Sequence, residues 1–416
     1  MLQPELKLSL LSEKQNYRFH AMVKPSGSRC NIDCDYCFYL HKQELLQHTK
    51  HSNMEDSVLE QHVRQYIEAQ TGDEVIFSWQ GGEPTLMGIP FFERVVALQK
   101  KYVKPGQRIS NDLQTNGIAL DQHWVQFLQT HQFHVGLSID GPRELHDAFR
   151  KTRSGKSTFD QVMAAAKLLR DAKIPFAALC AVNRKNALYP KEVYRFLVDH
   201  VGTWRVQFTP VVESQTFQTQ VPTSTANAHA PQQGHERARP AHPLSIVTPW
   251  SVDPDDYGAF LSGVWDEWKS TDIGRVHVNL FETAIAQAAG YSAQTCTQAE
   301  FCGKALAVEH NGNVFSCDHF VYPEYRLGNI LHTHLGDMAY SSQQQHFGLQ
   351  KCATLPTQCQ KCDYLRLCWG ECPKNRLLKT QQGEIGLNYL CSGLYRFYQH
   401  IGADVVHILQ ALGHLK

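Results

Sequence analysis

Residues 30 to 39, CNIDCDYCFY, set Cys30, Cys34 and Cys37 in a C-x3-C-x2-C array with Phe38 and Tyr39 directly behind. Three thiolates on so short a loop can wrap one face of a metal centre. Three is one fewer than a closed tetrahedral zinc or iron–sulfur site takes from its protein. Either a distant fourth ligand completes the site, or one corner stays open for a small molecule, as in catalytic rather than structural centres. A zinc knuckle, or three buried cysteines without metal, is the alternative reading of the same residues. A second motif, Gly81-Gly82-Glu83-Pro84, bears on that choice. A Gly-rich turn lets a ligand approach the backbone closely, and its carbonyls together with the Glu83 carboxylate can accept from an ammonium group.

The cysteines of the C-terminal third add a ligand count. Cys296, Cys302 and Cys317 are followed by Cys359-x2-Cys362-x5-Cys368-x3-Cys372 and then Cys391. Eight thiolates can fully ligate two four-iron clusters, so with the open trio the chain has ligands for three [4Fe–4S] clusters. Cys180, inside an apolar run, and Cys352, outside the spacing, read as ordinary small residues. The chain has 13 cysteines in 416 residues. It shows neither an export leader nor a long apolar run, so a cytoplasmic location is expected, where thiols are metal ligands or catalytic groups more often than disulfides.

These residues need elements to position them. Apolar strand-like runs at 19 to 25, 74 to 80, 108 to 115, 133 to 140, 175 to 182 and 204 to 212 alternate with amphipathic helical stretches such as DSVLEQHVRQYIEAQ and STFDQVMAAAKLLRDA. That alternation predicts repeated βα units around a parallel sheet. An incomplete barrel and a doubly wound sheet both satisfy it. The polar clusters decide for the α/β barrel, a partial (β/α)6 TIM-like barrel: the cysteine loop, QGGEP, TNG and SIDG each follow a strand, as when βα loops build a site at one mouth. The expected division is a barrel over 1–250, a helical connection over 251–295, a cysteine-rich iron–sulfur domain over 296–395 and a C-terminal helix over 396–416. Within the barrel, residues 214–249 are poor in large apolar side chains and are expected to form a mobile insertion. Its His229, His235 and His242 read as solvated loop histidines. With 40 Lys+Arg against 40 Asp+Glu the formal charge is zero, which argues against nucleic-acid and membrane partners and for small-molecule or peptide chemistry.

Cys30, Cys34, Cys37 and the GGEP turn resemble the signature of the radical S-adenosylmethionine (SAM) enzymes, and the C-terminal cysteines resemble a SPASM-type domain. Over nearly its whole length the chain resembles the anaerobic sulfatase-maturating enzymes, through CNIDCDYCFYL, WQGGEPTL, LQTNG, GLSIDGP, VFSCDHFVYP, RLGNI and LNYLC. The resemblance implies that SAM occupies the open iron and is cleaved there. It also implies that a Cys or Ser side chain of a sulfatase becomes formylglycine under anaerobic conditions. Gly81, Gly82 and Glu83 would receive the SAM amino group, and Asn116, Ser138 and Arg150, or the nearby Arg153, its ribose and carboxylate. Tyr39 and Gln80 would line the substrate pocket, Tyr39 also touching the cofactor and Gln80 the substrate, and Asp318 would be the catalytic base. One auxiliary cluster would take Cys296, Cys302, Cys317 and Cys372, the other Cys359, Cys362, Cys368 and Cys391. The implied partners are an unfolded or nascent sulfatase polypeptide with a C/S-x-P-x-R motif and an electron donor such as flavodoxin or ferredoxin. A related maturase making a thioether crosslink shares most of these features and is the competing reading.

Overall fold

The structure, a computed structural model, describes residues 18–48, 53–222 and 230–414. In chain order the main strands are β1 (His20–Lys24), β2 (Glu74–Trp79), β3 (Arg108–Thr115), β4 (His134–Ser138), β5 (Phe176–Val182), β6 (Arg205–Pro210), β7 (Ala305–Glu309), β8 (Asn313–Phe315) and β9 (Arg326–Asn329). The longer helices are α1 (Asp56–Ala69), α2 (Ile89–Tyr102), α3 (Gln122–Thr130), α4 (Phe159–Asp171), α5 (Pro254–Thr271), α6 (Asn279–Ala288), α7 (Ser342–Ala353) and α8 (Cys391–Ala411). The chain divides into two compact units, each discontinuous in sequence.

The first unit comprises 1–138, 150–176 and 302–350. Its strands β1, β2, β3 and β4 run parallel, with Val23 beside Trp79 and Leu113 beside Val135. Alternate residues of these strands face inward, and α1 buries Leu59, Val63 and Ile67 and sets His62 and Tyr66 edge to face against Phe77. Trp79 and Phe92 are fully buried and meet edge to face, an arrangement that adds about 0.5–1.5 kcal/mol to the area they bury. α3 starts where the Asp121 carboxylate accepts from the Trp124 amide at 2.9 Å, a cap contributing about 1 kcal/mol.

On the other edge β7 pairs in parallel with β1, bringing Glu309 beside Lys24, and β8 and β9 continue antiparallel. The 302–350 segment thus pairs into the first sheet, a partnership the sequence did not announce. A five-residue apolar run such as ALAVE has no period that names its partner strand, and pairing across nearly 300 residues is not written locally.

The second unit comprises 139–149, 177–301 and 351–416. β5 and β6 are parallel over six residue pairs. α5 is capped by Asp253, which accepts from the Asp255 amide at 2.9 Å, and buries Tyr257, Phe260, Trp265 and Trp268. It crosses α8 at Gly258 and Gly393. A Cβ on Gly393 would overlap the Pro254 carbonyl oxygen, so the two backbones touch.

The described part of the 214–249 stretch is tied down. Ser214 bridges to Val247, Gln232 to Lys379, and Arg239 reaches Asp253 at 2.5 Å and Asp255 at 2.8 Å. Backbone bonds and ion pairs hold this described part. His235 and His242 accept from nearby backbone amides at 3.1 and 3.0 Å. His229 lies outside the described residues.

Candidate active site

Beyond β1 the chain turns through Gly27, whose amide donates to the Lys24 carbonyl at 3.0 Å, and enters the cysteine loop. Asp33–Cys34 pairs antiparallel with Arg150–Lys151, placing Arg150 opposite Cys34. The Cys37 amide donates to the Cys34 carbonyl at 2.9 Å, and the Arg153 guanidinium donates to the Cys30 carbonyl at 3.2 Å. Arg150 itself is buried, its guanidinium 5.5 Å from the centre of the Tyr36 ring.

The GGEP turn is stitched to this loop. The amides of Gly82 and Glu83 donate to the carbonyls of Gly27 and Arg29 at 2.9 and 2.8 Å, and Ser26 Oγ donates to the Glu83 carbonyl at 3.1 Å. Gly81 has φ of +124°, and any Cβ on Gly82 would overlap the Arg29 carbonyl oxygen, so the motif needs glycine at both positions. The Glu83 carboxylate faces the end of β3. Oε1 accepts from Thr85 N, Thr85 Oγ1 and Thr115 Oγ1 at 3.0, 2.6 and 2.8 Å, and Oε2 from Asn116 N at 2.8 Å. Burial raises its pKa against the pull of these bonds. What the structure shows Glu83 doing is bracing two strand ends. Asn116 in turn reaches Cys30 Sγ at 3.6 Å and Asn31 Oδ1 at 2.7 Å.

A second group of side chains stands at the ends of β1 and β7. Lys24, 2% exposed, pairs with Asp318, the residue after Cys317, and its ammonium lies 4.7 Å from the centre of the Tyr39 ring. Tyr39 is buried among Ala307, Phe315 and Val321, and its hydroxyl donates to Glu309. Asp318 and Tyr39, nearly 280 residues apart in sequence, are thus linked through one buried lysine. Gln80 is buried at the end of β2, where its amide donates to the Val23 carbonyl at 2.9 Å, and Ser138 ends β4.

The remaining cysteines divide between the units. In the first, Cys302 and Cys317 flank the β7–β8 hairpin. In the second, Cys359, Cys362, Cys368 and Cys391 line one cavity of about 190 Å³, with Tyr364 and Tyr398 among its walls. Burial first, then neighbouring charge that includes the other thiolates, pushes Cys368 up to about 12; burial also pushes Cys359 up to about 11. Cys30 likewise rises to about 12, from burial and then the Glu83 charge. Buried thiols so reluctant to ionise alone are what a cationic metal cluster, which binds thiolate, would stabilise. Cys372 does not line that cavity; burial, then the charges of Glu371 and Cys296, raise its pKa.

Two buried cations hold these loops. Lys351 Nζ donates to the carbonyls of Cys296, Thr297 and Ala299 at 2.6, 2.8 and 2.5 Å. Arg376 donates to the carbonyls of Lys351 and Trp369 at 2.7 and 3.2 Å. Between Cys368 and Cys372, Trp369, Gly370 and Glu371 all have positive φ, and the Trp369 and Glu371 amides donate to the Leu365 and Cys368 carbonyls at 2.8 Å.

Two family models match: the radical SAM superfamily over residues 25–197 and an iron–sulfur cluster-binding domain, SPASM, over 296–363. A serine-type anaerobic sulfatase-maturating enzyme of Bacteroides thetaiotaomicron is 40% identical over 383 residues, which span 92% of this chain and 89% of that protein. The chain belongs to the anaerobic sulfatase-maturating enzymes. A cysteine-type member from Clostridium perfringens is 29% identical, over 93% of this chain and 97% of its own. The solved structure of native anSMEcpe with bound AdoMet superimposes with a TM-score of 0.79 at 29% identity, covering 94% of this chain and 99% of that one.

For a member of this family the fold is the radical SAM barrel with a C-terminal SPASM domain, and the cofactors are SAM and [4Fe–4S] clusters. The residues present fit them: a thiolate trio on one loop, a glycine cradle that a side chain would fill, and a cavity ringed by four cysteines. Among the described residues no helix is long and apolar enough to cross a membrane. Sequence reasoning missed Lys24, Glu309, Lys351 and Arg376. A lysine ending an apolar strand was the one local signal available, since a cation there must be paired if it is buried.

Proposed function

We propose that this chain oxidises a serine or cysteine of a sulfatase polypeptide to formylglycine, with Asp318 as the base. The observation that carries the reading is the buried Lys24–Asp318 pair beside Tyr39, in a chain 40% identical to a sulfatase-maturating enzyme. SAM at the cluster of Cys30, Cys34 and Cys37 supplies the one-electron chemistry that removes a hydrogen atom from the substrate Cβ. The chain's own residues do the rest. The Gly81–Gly82 carbonyls offer acceptors for an ammonium group, while Glu83 keeps the turn in register with Asn116. Arg150 and Ser138 lie at strand ends suited to polar contacts with the cofactor, Gln80 with the peptide. Asp318, fixed by Lys24, takes the proton of the substrate hydroxyl or thiol. Cys296/Cys302/Cys317/Cys372 and Cys359/Cys362/Cys368/Cys391 would hold two auxiliary clusters, which would supply an acceptor for the remaining electron. The cavity lined by the second set supports that division. From serine these losses of hydrogen atom, proton and electron give the aldehyde directly; from cysteine they give a thioaldehyde, which water hydrolyses to formylglycine with release of hydrogen sulfide.

An unfolded or nascent sulfatase with a C/S-x-P-x-R motif, a flavodoxin- or ferredoxin-type electron donor and a cytoplasmic setting go with this reading. A solved relative holds the Cp18Cys peptide together with AdoMet, which supports a peptide substrate. The test is anaerobic reconstitution with SAM and peptides carrying C-x-P-x-R or S-x-P-x-R, read by mass spectrometry. Aldehyde-forming mass loss is expected. SAM cleavage with every such peptide left unchanged would overturn the proposal.

A further inference from the structure

Behind Tyr39 lies a set of side chains that the reaction does not use. His48, Glu309 and His310 bring one ligand atom each to within 4.8 Å of one another. Glu309 is 1% and His310 9% exposed. Glu309 Oε2 and His310 Nδ1 are buried 3.4 Å apart, and His48 Nδ1 is buried beside them without a hydrogen-bond partner. The two imidazoles meet edge to face with centres 4.5 Å apart. We propose that His48, Glu309 and His310 form a binding site for one divalent first-row transition-metal ion, with zinc(II) the natural probe.

Buried polar atoms that lack full hydrogen bonding are costly, and three such atoms converge here. One water has only two protons to give, whereas one cation meets all three lone pairs. An ion centred among atoms at the 4.8 Å limit lies about 2.8 Å from each, so movements of about 0.7 Å reach the roughly 2.0–2.2 Å of zinc–nitrogen and zinc–oxygen bonds. Two imidazoles with one carboxylate and no thiolate suit zinc or ferrous ion and distinguish this site from the cysteine-held clusters. Burial, aided by His310, lowers the His48 pKa to about 4, so its ring is neutral and carries a lone pair near pH 7. The Lys24 ammonium, which also acts on Glu309, is neutralised by Asp318. Glu309 donates one oxygen to the ion and keeps the other for the Tyr39 hydroxyl. The ion therefore acts as a clamp on the carboxylate that positions Tyr39, the part that outer groups play at metal sites.

The experiment uses the full chain with its clusters loaded, dialysed anaerobically against zinc chloride, with zinc and iron counted in the same sample. One zinc per chain at unchanged iron is expected, with an X-ray absorption edge showing nitrogen and oxygen neighbours only. His48→Gln and His310→Gln should each weaken zinc binding about a hundredfold, and Cys352→Ala, whose thiol lies 3.6 Å from Glu300, should not. Should His310→Gln lose iron, and with it the fold, His48→Gln on its half-buried loop decides the matter alone. No retained zinc, retention unchanged in the histidine variants, a sulfur shell, or zinc gained only as iron is lost would each overturn the proposal. The first of these would leave a protonated Glu309 bonded to His310 as the occupant of the space.

Discussion

Replacing Lys24 by Met keeps a long side chain against Tyr39 while removing the charge that holds Asp318. Lys24 is 2% and Asp318 14% exposed, so the pair is largely out of water. Removing one partner of a buried pair costs about 3–5 kcal/mol, mostly from the charge left behind. Because water reaches the edge of Asp318, the lower figure, about 3 kcal/mol, applies. Loss of the ammonium from the Tyr39 face adds about 0.5–1 kcal/mol. In a unit of roughly two hundred residues each kcal/mol moves the melting temperature about 2–4 °C, so a total loss of about 3.5–4 kcal/mol should make Lys24→Met melt about 7–16 °C below the parent. The double variant Lys24→Met/Asp318→Asn has no stranded charge. It should recover stability relative to the sum of the single losses, with a coupling of at least about 1.5 kcal/mol. The assay is anaerobic thermal unfolding of the cluster-loaded parent, both single variants and the double, with iron content checked in each. Effects that add to within about 0.5 kcal/mol would show that the two side chains do not share a buried pair, and the placement of the base would fall with it.

Asp318→Asn keeps the shape of the carboxylate but cannot take up a proton, so aldehyde formation should drop about a hundred- to ten-thousand-fold with SAM cleavage and iron content retained, measured on the same samples. Gly82→Ala drives a methyl group into the Arg29 carbonyl and breaks two backbone bonds to the cysteine loop, and SAM cleavage should be abolished in a chain that still holds its auxiliary iron. Lys351→Met strands three carbonyls of the Cys296 segment, a loss on the order of 3 kcal/mol or more, so iron per chain should fall although no ligand is changed. Cys180→Ala removes a buried thiol that accepts from the Asn186 side chain at 3.7 Å, and should leave iron content and product formation as they were.

The sequence made local features visible and concealed the distant ones. The strands carrying the cysteine loop, the GGEP turn and Asn116 could be read from their apolar runs, because each loop follows its own strand by a few residues. Asp318 could be named only through Cys317 beside it and the family blocks around it. Its true neighbours, Lys24 and Tyr39, come from the first tenth of the chain and arrive through the parallel pairing of β7 with β1. Nothing periodic in a five-residue strand predicts that. Glu83 shows a subtler gap: its residue type suggested a ligand contact, and gave no sign of the four bonds from Thr85, Thr115 and Asn116 that its carboxylate also accepts. In the described part of the 214–249 stretch, composition gave no hint of ion pairs such as Arg239 with Asp253, which need no apolar residues.

The glycine crossing of α5 and α8 reaches beyond helix packing. Cys391 is the first residue of α8, and Gly393, one half-turn on, presses backbone to backbone on α5. The place of that thiol is therefore set by two long helices whose contact is made of residues with no side chains to repack. Most of the ordering entropy of this ligand is spent when the helices dock, before any iron arrives. A cluster entering there meets a seat already cut to measure on one side, and its binding energy goes into holding iron rather than into folding the chain. Loss of metal should accordingly leave this end of the molecule standing, ready to be refilled.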